Sequence, residues 1–183
     1  MSSVFQSVYL LSMVRDNRYE PLIARIRSLA AHEDVGGALQ RICALLRRCV
    51  DHYDWVGFYL AVPEDRMLVL GPFEGAPTEH LQIPYGRGIC GQAAERGEPV
   101  TVPDVRDAGN YLACSVETRA EIVLPVFLEG RFLAELDIDS HTVDPFGPSD
   151  TRLLTEVVTI ATPLLAVIAE SLQHRSGASS GNG

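Results

Sequence analysis

The chain has 183 residues, a length typical of one domain and sufficient to bury a hydrophobic core without disulfide or metal support. Its formal net charge is −9, and all 15 basic residues are arginines. An acidic chain lacks the basic face that nucleic acid binding needs, and a chain without lysine has no Walker-type phosphate loop. Because no apolar run approaches the roughly 18 residues of a membrane span, we expect a cytoplasmic protein without membrane or nucleic acid partners.

The apolar periodicity predicts a single α+β domain over residues 1–174, followed by a disordered Gly/Ser-rich tail at 175–183. Helices are predicted at both ends of the domain, and strands between them are interrupted by a short helix and a long loop. In chain order the predicted elements are helices 19–31 and 36–52, strands 54–62, 67–73 and 80–85, helix 88–95, strand 99–104, loop 106–118, strands 121–128 and 131–139, and a helix 149–173 with Ser149 as its N-cap.

Side-chain alternation predicts a polar face on this sheet. In the last strand one face carries Leu133, Glu135, Asp137 and Asp139, whereas Phe132, Ala134, Leu136 and Ile138 form an apolar face that should meet the terminal helices. The same alternation lets Glu121, Trp55 and Tyr59 join the polar side. Neighbouring carboxylates repel one another unless a cation or a proton relieves them. The pattern therefore leaves three interpretations open: a solvated sheet face, a site for an organic cation, or a metal site.

The four cysteines lie outside any Cys-x-x-Cys pair, so we expect neither a zinc site nor a thioredoxin-like motif. Cys43 and Cys49 follow the apolar spacing of a helix and are expected to be structural. Cys90 comes near the start of the short helix, where the helix dipole favours a thiolate, and Cys114 lies in the long loop. These last two are the candidate redox or nucleophilic thiols.

Five segments in order resemble the free methionine-(R)-sulfoxide reductases, a family built on the GAF domain. They are GPFEG (71–75), IPYGRGICG (83–91), LAC (112–114), EIVLPV (121–126) and LDIDS (136–140). The resemblance runs from about Trp55 to Phe146. It implies an antiparallel sheet with terminal helices on one face and a ligand pocket on the other, and a homodimer packed through those helices.

The resemblance also implies residue roles. Cys114 matches the family's catalytic thiol and Cys90 a second cysteine in its pocket. The acidic residues that hold the substrate match Glu121, Asp137 and Asp139, and aromatic residues of the enclosure match Trp55 and Tyr59. The implied reaction is reduction of free L-methionine (R)-sulfoxide to methionine through a cysteine sulfenic acid. Thioredoxin is the implied external reductant, and no bound cofactor or metal is expected.

Two positions depart from the family pattern. His80 stands where the family usually carries its resolving cysteine, and Ser115 follows Cys114 where the family tends to have Asp. Cys90 could resolve the sulfenic acid instead, or an external thiol could reduce it directly. The alternative function is a GAF module without catalysis that binds a small ligand or senses redox state.

Overall fold

The computed structural model of the chain describes residues 18–31, 34–107 and 117–179. The predicted α+β class and the order of helices and strands are confirmed. In chain order the elements are α1 (Glu20–Ala30), α2 (Val35–Cys49), β1 (Trp55–Val62), β2 (Met67–Glu74), β3 (Gln82–Pro84), α3 (Gly88–Arg96), β4 (Val100–Val102), β5 (Ala120–Leu128), β6 (Arg131–Ser140) and α4 (Pro148–Ser179).

The strands form one antiparallel sheet in the order β3-β2-β1-β6-β5-β4. The first and last strands along the chain, β1 and β6, are therefore paired at the centre of the sheet. Helices α1, α2 and α4 cover one face, and their apolar side chains join Val56, Phe58, Leu136 and Ile138 in the larger core. Helix α3 covers the other face, where a smaller core includes Trp55, Tyr59, Ile89 and Cys90. This two-sided arrangement matches the expected GAF-like layout.

At the start of β6, a β-bulge reverses the faces predicted for Phe132 and Leu133. The register with β5 slips between Val126 and Phe127, so that Val126 opposes Ala134 whereas Phe127 opposes Phe132. Leu133 is the extra residue; it is buried in the larger core, and Phe132 packs on the smaller one. The prediction that Leu133 shares the polar face was wrong, because a bulge inserts one residue and inverts the alternation before it.

Helix α4 begins at Pro148, so the prediction of Ser149 as its N-cap was wrong. Proline suits the first helical position because its missing N–H would be unpaired there anyway. The Asp150 carboxylate takes over the capping, accepting a hydrogen bond from the Gly147 N–H at 2.9 Å. It also accepts one from the Tyr53 hydroxyl at 3.0 Å and contacts His52 Nε2 at 2.8 Å. One buried carboxylate thus joins the start of α4 to the segment that enters β1.

The far end of α4 also differs from expectation. The helix continues to Ser179, so residues 175–179 are helical, whereas 180–183 lie outside the described residues. Extending a formed helix adds one hydrogen bond for each residue fixed, so even a Ser/Gly-rich segment can continue the helix. Over Pro148–Leu172 the helix reaches a mean hydropathy of 1.8, which by length and composition alone would suit a membrane span, contrary to the sequence expectation. Its buried side chains, including Leu153, Leu154 and Leu165, instead pack into the core of the domain.

Asp150→Ala is expected to lower the free energy of unfolding by about 2–4 kcal/mol. It removes a helix cap, at a cost of about 0.5–2 kcal/mol, and leaves the buried Tyr53 hydroxyl unpaired, at about 1–3 kcal/mol. Urea unfolding measures the change, and Asp51→Ala, which removes an exposed carboxylate, is the matched control. Equal effects of the two variants would contradict the capping assignment.

Candidate functional site

On the sheet face beneath α3, the strand register arranges the residues of the candidate site in three rows. Residues paired directly across neighbouring strands share a face. One row joins Glu121, Asp139 and Trp55, and the next joins Val123, Asp137 and Gly57. The third joins Pro125, Glu135 and Tyr59. Acidic side chains from β5 and β6 therefore meet the aromatic side chains of β1, as alternation predicted.

The four carboxylates of this face are buried. Glu121 is 1% exposed, Glu135 and Asp137 are 0% exposed, and Asp139 is 2% exposed. Neither oxygen of Glu135 has a hydrogen-bond partner among the described residues, and the same holds for Oδ1 of Asp137 and of Asp139. No arginine of the described part of the chain pairs with any of the four. The face therefore presents acceptor atoms that the described side chains leave unpaired.

Burial accordingly raises the carboxyl pKa values. Loss of solvation raises the pKa of Asp137 to about 7. Desolvation, followed by the charge of Asp137, raises the pKa of Glu121, Glu135 and Asp139 well above the usual range. Removing a charge from water and placing like charges together both favour the protonated form. The cluster therefore holds protons near neutral pH and gains from a bound cation.

Cys90 lies against this cluster from the other side of the pocket. Its thiol contacts Asp137 Oδ2 at 3.2 Å and Glu121 Oε1 at 3.5 Å. Helix α3 starts two residues earlier, at Gly88, as the sequence predicted. A Cβ at Gly91 would lie 2.4 Å from the Pro84 carbonyl oxygen, so only glycine lets α3 approach the end of β3 this closely. This close approach holds Cys90 over the carboxylates.

Trp55 and Tyr59 form an aromatic wall beside the acids. The indole stacks on Phe73, with ring centroids 5.5 Å apart, and lies 6.2 Å from the Tyr59 ring. Its Nε1 donates to the Ala76 carbonyl at 3.1 Å, and the Tyr59 hydroxyl donates to the His80 carbonyl at 3.0 Å. A Cβ at Gly57 would lie 2.2 Å from the indole Cη2. The absent side chain of Gly57 is therefore what lets the indole lie flat over β1.

Most of the predicted site residues are brought together. Cys90, Glu121, Asp137, Asp139, Trp55 and Tyr59 are buried together between α3 and the sheet, whereas Cys114 lies outside the described residues. Cys43 and Cys49 were both expected to be structural residues of the core. Cys43 is buried, and desolvation raises its pKa, whereas Cys49 is exposed at the end of α2. The residues that sequence reasoning missed are Phe73, Gly57 and Glu135. Alternation had placed Glu135 on this face, and that signal was sufficient to include it.

Three side chains of the pocket have the donor spacing of a metal site. Ligand atoms of Cys90, Glu121 and Asp137 all lie within 4.8 Å of one another, and all three residues are buried. A thiolate with two carboxylates suits a borderline-soft divalent ion, and the same carboxylates suit an organic ammonium group. The arrangement can therefore bind a small cation, and its thiol can take part in redox chemistry.

Comparison with known proteins gives a consistent match. A GAF domain model matches residues 32–166. The free methionine-R-sulfoxide reductase of Escherichia coli (strain K12) is 37% identical over 128 residues, covering 70% of this chain and 76% of that protein. The X-ray structure of free methionine-R-sulfoxide reductase from Neisseria meningitidis in complex with its substrate is similar, with a TM-score of 0.76 and 35% identity over 84% of this chain and 91% of that one. A type II free methionine-R-sulfoxide reductase from Thermoplasma acidophilum gives a TM-score of 0.68 and 34% identity over 76% and 94%.

The raised carboxyl pKa values predict that stability falls as pH rises. Asp137 has a pKa of about 7 in the folded chain and an ordinary value of 3.8 when unfolded, so its contribution to stability is complete below pH 3.8 and is lost through pH 7. We expect the free energy of unfolding to fall by about 2–3 kcal/mol from this group between pH 5 and 8.

Asp137→Asn should remove the share of Asp137 from this dependence, because its amide does not titrate, and leave the shares of Glu121, Glu135 and Asp139 in place. Urea unfolding at a series of pH values, with a chelator present, measures it. Asp65→Asn, at an exposed carboxylate, should keep the wild-type slope. A slope unchanged in Asp137→Asn would show that Asp137 does not hold a proton near neutral pH.

Proposed function

Because the chain belongs to the GAF-domain family of free methionine-(R)-sulfoxide reductases and is therefore an oxidoreductase, we propose that it reduces free L-methionine (R)-sulfoxide to L-methionine by means of a cysteine thiolate. The observation that carries this proposal is the buried acidic face beneath α3, with Cys90 against it. The family match supplies the reaction, and the pocket supplies side chains that suit its substrate.

Free methionine sulfoxide carries an ammonium group that a peptide-bound residue lacks. The unpaired oxygen of Asp139 is buried on this face without an arginine, so an ammonium group can donate to it and relieve the repulsion among the acids. The indole of Trp55, held by Phe73 and Gly57, offers an apolar wall for the methyl and methylene groups. The ammonium group and the apolar part of the proposed substrate thus each have a suitable partner.

The proposed nucleophile is Cys114. Its thiolate attacks the sulfoxide sulfur to form a sulfur–sulfur bond, and the sulfoxide oxygen accepts two protons and leaves as water. Water then attacks the Cys114 sulfur, which breaks the new sulfur–sulfur bond, releases the thioether methionine and leaves a sulfenic acid on Cys114. Thiol and sulfoxide together contain the same atoms as sulfenic acid and thioether. No metal is needed for this chemistry.

Asp137 is suited to supply the proton. A group whose pKa is about 7 is close to half protonated at neutral pH and can both give and take a proton in turnover. Its Oδ2 contacts the Cys90 thiol at 3.2 Å, and its Oδ1 has no partner among the described residues. The unpaired oxygen is the one available to a substrate.

Cys90 is the proposed resolving thiol, since His80 replaces the family's usual one. It condenses with the Cys114 sulfenic acid to give a disulfide and water, and thioredoxin then reduces the disulfide. Support comes from the position of Cys90 in the pocket. His80 meets the same wall through its carbonyl, which accepts from Tyr59. An external thiol acting directly on the sulfenic acid is the competing route.

The proposal includes a cytoplasmic homodimer. Reduced thiols and a thioredoxin-type reductant belong to a reducing compartment. Helix α4 is strongly apolar, yet only 39% of its most apolar window is buried within the chain, and Val167 is 51% exposed. A second copy packed along the terminal helices would cover that surface.

Cys114→Ser is expected to abolish turnover, a loss of at least about 10³-fold, because it removes the nucleophile. Turnover is measured separately on the R and S epimers of free methionine sulfoxide, with thioredoxin, thioredoxin reductase and NADPH, and in parallel with dithiothreitol. Binding of the R epimer, followed by calorimetry, should survive the substitution.

Cys49→Ser, at an exposed cysteine, is the control and should keep the wild-type rate. If the wild-type chain consumes neither epimer with either reductant, the reductase proposal fails, and the GAF ligand-binding module becomes the better account.

Cys90→Ser is expected to separate recycling from chemistry. If Cys90 resolves the sulfenic acid, the variant loses thioredoxin-supported turnover but keeps a substantial rate with dithiothreitol, which reduces the sulfenic acid itself. Mass spectrometry of the wild-type chain oxidised by one equivalent of substrate should show a Cys90–Cys114 disulfide. An undiminished thioredoxin-supported rate in Cys90→Ser would assign recycling to an external thiol.

A further inference from the structure

We propose that the pocket contains an inhibitory Zn²⁺ site in which Cys90, Glu121 and Asp137 bind the ion directly. The inference rests on the proposed function and deepens it, because the ion would occupy Asp137, which is assigned there to the substrate. It concerns regulation by metal and not a catalytic metal. It is carried by ligand spacing, by the identity of the donors, and by an unpaired carboxylate beside them.

The spacing of the donor atoms suits a tetrahedral ion. With Zn–S at about 2.3 Å and Zn–O at about 2.1 Å, sulfur and oxygen ligands of one zinc lie about 3.6 Å apart. The Cys90 Sγ lies 3.5 Å from Glu121 Oε1 and 3.2 Å from Asp137 Oδ2, and the three ligand atoms all lie within 4.8 Å of one another. Small side-chain shifts would therefore complete the coordination.

Glu135 is the independent observation that points to a cation. Its carboxylate is fully buried, and both of its oxygens lack a hydrogen-bond partner among the described residues. It shares the buried face of β6 with Asp137; burial and the charge of Asp137 raise the pKa of Glu135, and the neighbouring Cys90 thiol opposes that rise. A buried polar group without a partner is costly, and a cation beside Cys90 would reduce that cost.

The donor set selects the kind of ion. Hard cations such as Mg²⁺ and Ca²⁺ need about six or more oxygen ligands and gain little from a thiolate. Zn²⁺ takes sulfur and carboxylate oxygen together in fourfold coordination. Binding displaces the thiol proton of Cys90 and the protons held on Glu121 and Asp137, all of which leave to solvent, and no group is oxidised or reduced. Once ligated, Cys90 could neither resolve a sulfenic acid nor share its carboxylates with substrate.

The first test uses Co²⁺ as a spectroscopic probe of the fully reduced chain. A bound thiolate gives a sulfur-to-cobalt charge-transfer band in the near ultraviolet. We expect the band in the wild-type chain and in Cys49→Ser and Cys114→Ser, and its loss in Cys90→Ser. Glu121→Gln and Asp137→Asn should each weaken the affinity for Co²⁺ and for Zn²⁺ by at least about tenfold. A band that persists in Cys90→Ser, or one that only Cys114→Ser removes, would overturn the proposal.

The second test is kinetic. Zn²⁺ should raise the KM for free methionine (R)-sulfoxide and, because it also occupies the resolving thiol, lower the thioredoxin-supported kcat; a chelator should restore both values. Inhibition that lowers kcat alone would contradict a site shared with the substrate. The cobalt band needs no turnover, so a chain that binds Co²⁺ through Cys90 but reduces neither epimer would refute the reductase proposal and leave the metal site standing.

Discussion

Four carboxylates buried on one sheet face, with no arginine among the described residues to neutralise them, are the constraint around which this domain is organised. Burial in a low-dielectric interior favours the protonated acids. It raises the pKa of Asp137 to about 7, so this carboxyl group binds and releases a proton near physiological pH. A face of this kind stays costly until protons or a cation relieve it. The proposed selectivity for a free amino acid and the proposed Zn²⁺ site both rest on this one property.

The fold accommodates the buried acids by placing them on the sheet face opposite the larger core. The larger core, between the sheet and helices α1, α2 and α4, supplies apolar burial without using any of the four acids. The smaller core under α3 can then hold polar groups, and two glycines shape it. Gly91 brings Cys90 onto the acids, and Gly57 lets the Trp55 ring lie across β1. Both contacts depend on the absence of a side chain.

Local periodicity predicted much of this site. Glu121, Asp137, Asp139, Trp55 and Tyr59 share a face because alternation is a property of each strand and register carries it across the sheet. Alternation failed at Phe132 and Leu133, where a bulge that no local pattern marks inverts the faces. The contact of Cys90 with Asp137 joins residues 47 positions apart and depends on how α3 docks. Glu135 lies one residue before the LDIDS motif and therefore outside the segments that carry the family resemblance.

The central claim is that the buried acids select a substrate with a free ammonium group. The most direct test compares initial rates on free L-methionine (R)-sulfoxide and on its N-acetyl derivative, which keeps the sulfoxide but cannot carry the positive charge. The account predicts turnover of the free amino acid and little or none of the acetylated one. Equal kcat/KM for the two compounds would contradict it, because the carboxylates would then have no part in recognition.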